Sequence, residues 1–326
     1  MSPYDPTPSD PATDEPANDI DAAEFARGAI PGTGRAAFSL DLPGNVPLPV
    51  LIAAPHGGRD YPPDVLNSMR EPRWSALRLE DRHVDLLATE IARATGAGLL
   101  VAHAPRAMID LNRGTDDIDW SMVTGDKPLR IVHSQANRRA RSGLGLVPRR
   151  LSGLGEIWTG KLPRAQLDAR IESIHRPYHT ALERALDTIR DRWGAALLLD
   201  LHSMPPLRPR SEHDRPAEFV IGDRFGSSAH DTLVDTTLRH LDGQGRRAVL
   251  NRPYSGGYVL DRHASPRRGL HAIQIEVCRS TYLDARFEEP GPRLPGVVRT
   301  LIALVRALAM ETARLGDSPY VPQAAE

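Results

Sequence analysis

Apolar residues fall in short, separate runs along the chain. Val50–Ala54 is continuously apolar and stops at Pro55; Gly98–Ala102 and Ala196–Leu201 repeat the pattern. Runs of this length without polar alternation predict strands buried on both faces. Leu270–Val277 alternates instead, with Ile273, Ile275 and Val277 on one side and Gln274 and Glu276 on the other. Phe219–Ile221 and Ala248–Leu250 are shorter strand candidates. Between these runs the period changes. Glu80–Ala94 carries Leu86, Leu87 and Ile91 at helical spacing. Residues 164–193 carry Leu167, Ile171, Ile174, Tyr178, Leu182, Leu186 and Ile189 in steps of three and four, which predicts a long amphipathic helix kinked at Pro177. Leu301–Met310 belongs to a closing helix. Buried strands separated by helices predict an α/β fold with a mainly parallel sheet covered on both sides.

The beginning of the chain breaks this pattern. Pro3, Pro6, Pro8, Pro11 and Pro16 are interleaved with Asp5, Asp10, Asp14 and Glu15, and little there is apolar. Such composition predicts a disordered tail over 1–35, followed by one domain over 36–326 with no internal repeat and no linker. At 326 residues the chain is long enough for one large core. The net charge of -1 gives no electrostatic case for a nucleic-acid or membrane-surface partner. Arg138–Arg139 and Arg149–Arg150 read as solvated faces or small-anion sites. The single cysteine, Cys278, excludes an intrachain disulfide and reads as a small buried hydrophobe. No apolar stretch reaches the roughly 20 residues of a membrane helix, and acids and prolines stand where a signal peptide needs a basic start and an apolar run. The expected location is the cytoplasm.

Three polar residues close strands in separate parts of the chain. His56 follows Val50–Ala54 in Pro55-His56-Gly57-Gly58, His202 follows Ala196–Leu201 in Asp200-Leu201-His202-Ser203, and Glu276 lies late in Leu270–Val277. In open α/β sheets ligands collect beyond the carboxyl ends of the strands, so all three can converge on one cleft. Singly, each has a bland reading: His56 as a turn residue capping a neighbour, His202 as a core histidine satisfied by Asp200. Strand alternation puts Asp200 and His202 on the same face, where the carboxylate can orient the imidazole. Ser203 and His202 are sequence neighbours that point apart, so Asp200–Ser203 is no serine triad. Two histidines, one carboxylate and an open position make a catalytic zinc site, and a further carboxylate can take the proton of the attacking water. These residues leave open which carboxylate is ligand and which is base.

Seven segments, taken in order, add a resemblance. They are Pro55-His56-Gly57-Gly58, Glu80-Asp81-Arg82-His83-Val84-Asp85, Arg106-Ala107-Met108-Ile109-Asp110-Leu111-Asn112-Arg113, Arg176-Pro177-Tyr178-His179, Asp200-Leu201-His202-Ser203, Gly256-Gly257-Tyr258, and Gln274-Ile275-Glu276-Val277-Cys278-Arg279-Ser280-Thr281-Tyr282. Together they resemble the N-formylglutamate amidohydrolase (N-formylglutamate deformylase) family over nearly everything from Pro55 to Tyr282. The tail and much of Pro205–Pro216 lie outside the match. The resemblance implies a three-layer α/β/α sandwich, of the phosphorylase/hydrolase-like type seen in zinc carboxypeptidases and aspartoacylases, with one zinc. It implies His56, Asp81 and His202 as ligands and Glu276 as the catalytic carboxylate, with Arg106 beside the developing oxyanion. It also implies that Asn112 and Arg113 hold a substrate carboxylate and that a loop at Gly256–Gly257 brings Tyr258 over the site. Residue type and spacing alone leave Asp81, His83 and Glu80 open for the third ligand.

The implied substrate is a small carboxylate, N-formyl-L-glutamate, cleaved to L-glutamate and formate as in the last step of one histidine degradation route. Arg59, Arg262 and Arg267 are candidates for a second substrate carboxylate. Two other readings stand beside this one: an enzyme for another N-acyl amino acid or a short peptide, and a catalytically silent protein that binds zinc or an amino acid.

Overall fold

The computed structural model describes residues 27–127, 140–209 and 215–317. Its centre is a seven-stranded mixed sheet. The strands are β1 (Phe38–Asp41), β2 (Val50–Ala54), β3 (Gly98–Ala102), β4 (Ala196–Met204), β5 (Phe219–Gly222), β6 (Ala248–Leu250) and β7 (Leu270–Cys278). Their spatial order is β1-β3-β2-β4-β7-β5-β6. The pairs β3/β2, β2/β4, β4/β7 and β5/β6 are parallel, while β1/β3 and β7/β5 are antiparallel.

Two-sided burial explains the continuous apolar runs. Leu51, Ala53, Leu100, Ala196 and Leu198 face one core, and Val50, Ile52, Val101, Leu197 and Leu199 face the other. The first core is covered by α2 (Arg176–Trp193) through Tyr178, Leu182, Leu186 and Ile189. The second is covered by α1 (Val84–Thr95), α3 (Asp231–Gly243) and α5 (Leu294–Asp317). The result is the expected three-layer α/β/α arrangement. On β4 and β7 the residues facing the α2 layer include Asp200, His202, Gln274 and Glu276, so alternation delivers polar groups to that face at the strands' carboxyl ends. Among the described residues no helix is long and apolar enough to cross a membrane.

Two expectations are corrected. The first is the domain boundary at Ala36. Residues 1–26 lie outside the described residues, but 27–35 pack on the domain: Ile30 is 1% exposed, and Ala29 bridges to Ala36. The second is the kink at Pro177. The helical run 164–193 widens one turn earlier, as a π turn at Ile171–His175. Both have one cause. Pro177 has no N–H, so the carbonyl of Ser173, four residues before it, loses its helical donor. The Ala29 N–H donates to that oxygen at 2.9 Å. Gly28 makes the approach possible: its φ is +55°, and a Cβ there would lie 2.6 Å from the same oxygen. The apolar-poor sequence before Ala36 hides a segment that docks through the Ile30 side chain and the Ala29 backbone. Arg138–Arg139 lie outside the described residues, whereas Arg149 is paired with Asp119 at 2.6 Å.

Candidate metal centre and active site

The centre forms where β2, β4 and the segment before α1 meet. After Ala54 the chain turns through Pro55-His56-Gly57-Gly58 against the end of β3, and a Cβ on Gly58 would collide with the carbonyls of His103 and Ala104. The Asp81 N–H donates to the His56 carbonyl at 3.0 Å, which ties this turn to the loop before α1. That loop is not helical: α1 begins at Val84, and His83 before it has φ +57°. The helix therefore starts four residues later than the expected Glu80, and the unwound stretch turns Asp81 inward. His56, Asp81 and His202 are all buried, and one ligand atom from each lies within 4.8 Å of the others.

Each imidazole is held at its far nitrogen. Nε2 of His56 is 2.7 Å from Asp110 Oδ1, and Nε2 of His202 is 2.9 Å from Asp200 Oδ2. With Nε2–H donated to a carboxylate, Nδ1 is the atom each ring presents to Asp81. The distances from Asp81 Oδ2 are 3.5 Å to His56 Nδ1 and 3.0 Å to His202 Nδ1. Nδ1 of His56 is buried without a hydrogen-bond partner, an uncommon condition for a buried polar atom. Burial disfavours charge on His202, yet Asp200 and Asp81 outweigh it and hold that imidazole well above its usual pKa. Burial also acts on Asp81, but the two histidines outweigh it and hold its carboxyl low. Two imidazole nitrogens and a carboxylate oxygen around a buried point, one of them orphaned, fit a bound divalent metal with carboxylate–histidine support behind it.

Glu276 stands next to this group, because β7 pairs with β4 in a register that sets Glu276 beside His202. Gln274 Nε2 donates to Glu276 Oε1 at 2.9 Å. Burial pushes the Glu276 carboxyl up to about 7; His202 lowers it and Asp81 raises it. These four side chains line a cavity of about 250 Å³, to which Arg106, Asn112 and Arg113 contribute one wall.

The profile of the N-formylglutamate amidohydrolase family matches residues 48–283, which hold the whole centre. The chain belongs to the N-formylglutamate amidohydrolase family. It is 32% identical over 240 residues to the N-formylglutamate deformylase of Pseudomonas putida, covering 73% of this chain and 82% of that protein. It is 29% identical over 244 residues to the deformylase of Pseudomonas aeruginosa, covering 73% and 83%. It is also similar to the crystal structure of the N-formylglutamate amidohydrolase of Ralstonia eutropha JMP134, at 34% identity and a TM-score of 0.76, over 86% of this chain and 99% of that one.

Of the three residues that type and spacing left open, the structure brings one beside the two histidines. Asp81 joins the histidines. Glu80 is 3.1 Å from Arg82, and His83 Nε2 is 3.1 Å from the Glu288 carbonyl, both away from the centre. Arg106 lies at the cavity with Nε and NH2 each 2.9 Å from Asp110 Oδ2. Asn112 and Arg113 are both braced. Asn112 Oδ1 accepts from the Val259 N–H at 2.9 Å, and Arg113 donates to the carbonyls of Leu144 and Asn112 at 3.0 and 2.8 Å. Behind them, His175 and His179 hold the carbonyls of Arg113 and Leu111 at 2.8 and 3.0 Å.

Tyr258 is a correction. It opens α4 (Tyr258–His263) but does not line the cavity; its ring packs 5.2 Å from His179, and its hydroxyl accepts from Arg262 at 2.9 Å. The tyrosine that faces the cavity from this loop is Tyr254. Arg59, Arg262 and Arg267 are also absent from the cavity wall; Arg59 makes a two-pronged pair with Asp85 at 2.9 and 2.7 Å. Four residues escaped the sequence reading as site residues: Asp110, Gln274, Tyr254 and Arg279. Arg279 braces Asp81. Its NH2 lies 3.5 Å from Asp81 Oδ1, and its Nε donates to Ser203 Oγ at 3.1 Å. Gln274 had a signal, its place two residues before Glu276 on an alternating strand.

Proposed function

We propose that the chain hydrolyses N-formyl-L-glutamate to L-glutamate and formate in a zinc-dependent reaction. The observation that carries this reading is the strand register that sets the buried carboxylate of Glu276 beside the His56–Asp81–His202 group. The names of the relatives supply the substrate. His56, Asp81 and His202 would hold the zinc, which when bound supplies Lewis acidity toward the acyl oxygen and the attacking water.

The chain's own residues do the rest. Glu276 takes a proton from the water as its oxygen bonds to the formyl carbon. The same carboxyl then gives that proton to the departing nitrogen as the C–N bond breaks, leaving formate and a free amine. Burial raises the pKa of this carboxyl, which favours its taking the proton. Arg106 presents its guanidinium to the oxyanion. Arg113 grips the carboxylate on the substrate's Cα, a task for a planar two-donor group. The reaction would serve histidine degradation in the cytoplasm, with a small carboxylate as the only partner and neither nucleic acid nor membrane involved.

Purified protein should hold about one zinc per chain and prefer N-formyl-L-glutamate over N-formyl-L-methionine and N-acetyl-L-aspartate. A flat profile, or preference for a dipeptide, would discard the substrate and keep the chemistry. Zinc-loaded protein that cleaves none of them would favour the silent binder.

A further inference from the structure

Four arginines line the cavity over the metal centre: Arg78, Arg106, Arg113 and Arg279. Three of them lie against acidic side chains. Arg106 is paired with Asp110 through two nitrogens at 2.9 Å. Arg279 is buried, donates to the carbonyls of Leu77 and Glu80 and to Ser203 Oγ, and lies 3.5 Å from Asp81. Arg113 is braced by two carbonyls and lies 3.8 Å from Asp117. Arg78 differs. It sits in the last turn of the short helix Pro72–Leu79 and is exposed at the cavity mouth. NH1 donates to the Ser152 carbonyl at 2.7 Å, and among the described residues no carboxylate pairs with it.

Among the described residues, the acids that line the cavity are Asp81 and Glu276, at and beside the metal centre. With four guanidiniums against two carboxylates, the lining carries a positive balance that suits a substrate with two carboxylates. We propose that Arg78 is a second carboxylate subsite, which reads the side-chain carboxylate of the substrate while Arg113 holds the one on Cα. The inference rests on the N-acyl amino acid reading above. The bond to Ser152 fixes one nitrogen of the guanidinium and leaves Nε and NH2 for a planar anion. The helix end that carries Arg78 is itself anchored, because Arg279 NH1 holds the Leu77 carbonyl at 3.1 Å. None of Arg59, Arg262 and Arg267 reaches this cavity, so Arg78 takes the role that residue type alone offered to them.

The test compares N-formyl-L-glutamate with N-formyl-L-glutamine, which has nearly the same shape and no second charge. Wild-type enzyme should prefer the glutamate compound. In Arg78→Met the ratio of kcat/KM for the two should fall about ten-fold, the lower end for a charge-assisted contact because the residue is exposed. The loss should appear in KM rather than kcat, and Arg78→Lys should restore part of it. Arg78 is at the surface, so an unchanged melting temperature confirms that the variant is folded. A preference that survives Arg78→Met, or a wild type indifferent between the two compounds, overturns the subsite while leaving the deformylase reading intact. A wild type active on neither removes both.

Discussion

Buried aspartates stand behind both histidines of the centre. Asp110 and Asp200 lie against Nε2 of His56 and His202, where a carboxylate would orient each ring and make its Nδ1 a better donor to a bound metal. Asp200→Asn and Asp110→Asn should each weaken zinc binding about 10- to 100-fold, read by competition with a chromophoric chelator. Wild-type affinity in both variants would contradict the support role. Asp200→Asn is the cleaner of the two, because Asp110 also pairs with Arg106. At this scale the sequence was legible where strand periodicity applies. Alternation alone set Asp200 behind His202 and Gln274 beside Glu276. It was silent on Asp110, which is 54 residues from His56 and sits in a loop. It was equally silent on Asp81 against its neighbours, since the stretch ending in His83 at φ +57° has no period to read. Two glycines likewise marked a turn at Gly256–Gly257 without saying which tyrosine faced inward.

Among the elements, strands buried on both faces were read nearly to their ends, because short apolar runs bounded by Gly and Pro fit a sheet interior better than a helix. β1 was missed since only Phe38 of its residues is buried, and α3 was missed although its buried face carries Leu233, Val234, Thr237 and Leu241. The helices also bury histidines. His175 and His263 are pushed down to about 4 and about 3, and His271 on β7 to about 4, chiefly by burial. Each is neutral in the fold, while in the unfolded chain it titrates near 6.5. Above about 6.5 neither state is protonated and the stability is complete. Below that the unfolded state binds the proton first, so stability falls as the pH drops from about 6.5 toward 4. His271 isolates the effect, since it contacts neither the centre nor the cavity. Urea unfolding of His271→Gln should show a shallower loss across this range than wild type, by on the order of 3 kcal/mol at its acid end. Identical pH dependence in the two proteins would show that burial of His271 carries no proton linkage.

The molecule as a whole places its chemistry at the middle of the sheet. The order β2-β4-β7 sets His56, His202 and Glu276 on three neighbouring parallel strands or just past their ends, and the loop before α1 adds Asp81. The layers were predictable from the two periods of the sequence, whereas the docking of residues 27–35 was not, because it depends on a carbonyl released by Pro177 some 140 residues away. The central claim is that Glu276 moves the proton while His56, Asp81 and His202 hold the metal. The direct measurement is zinc content and turnover of N-formyl-L-glutamate in Glu276→Gln, side by side with wild type. The expected result is unchanged zinc, at about one per chain, with turnover lower by about 10²- to 10⁴-fold, since an amide cannot accept the proton. Near-normal turnover would contradict the assignment of the base, and loss of the zinc would show that Glu276 is a ligand instead.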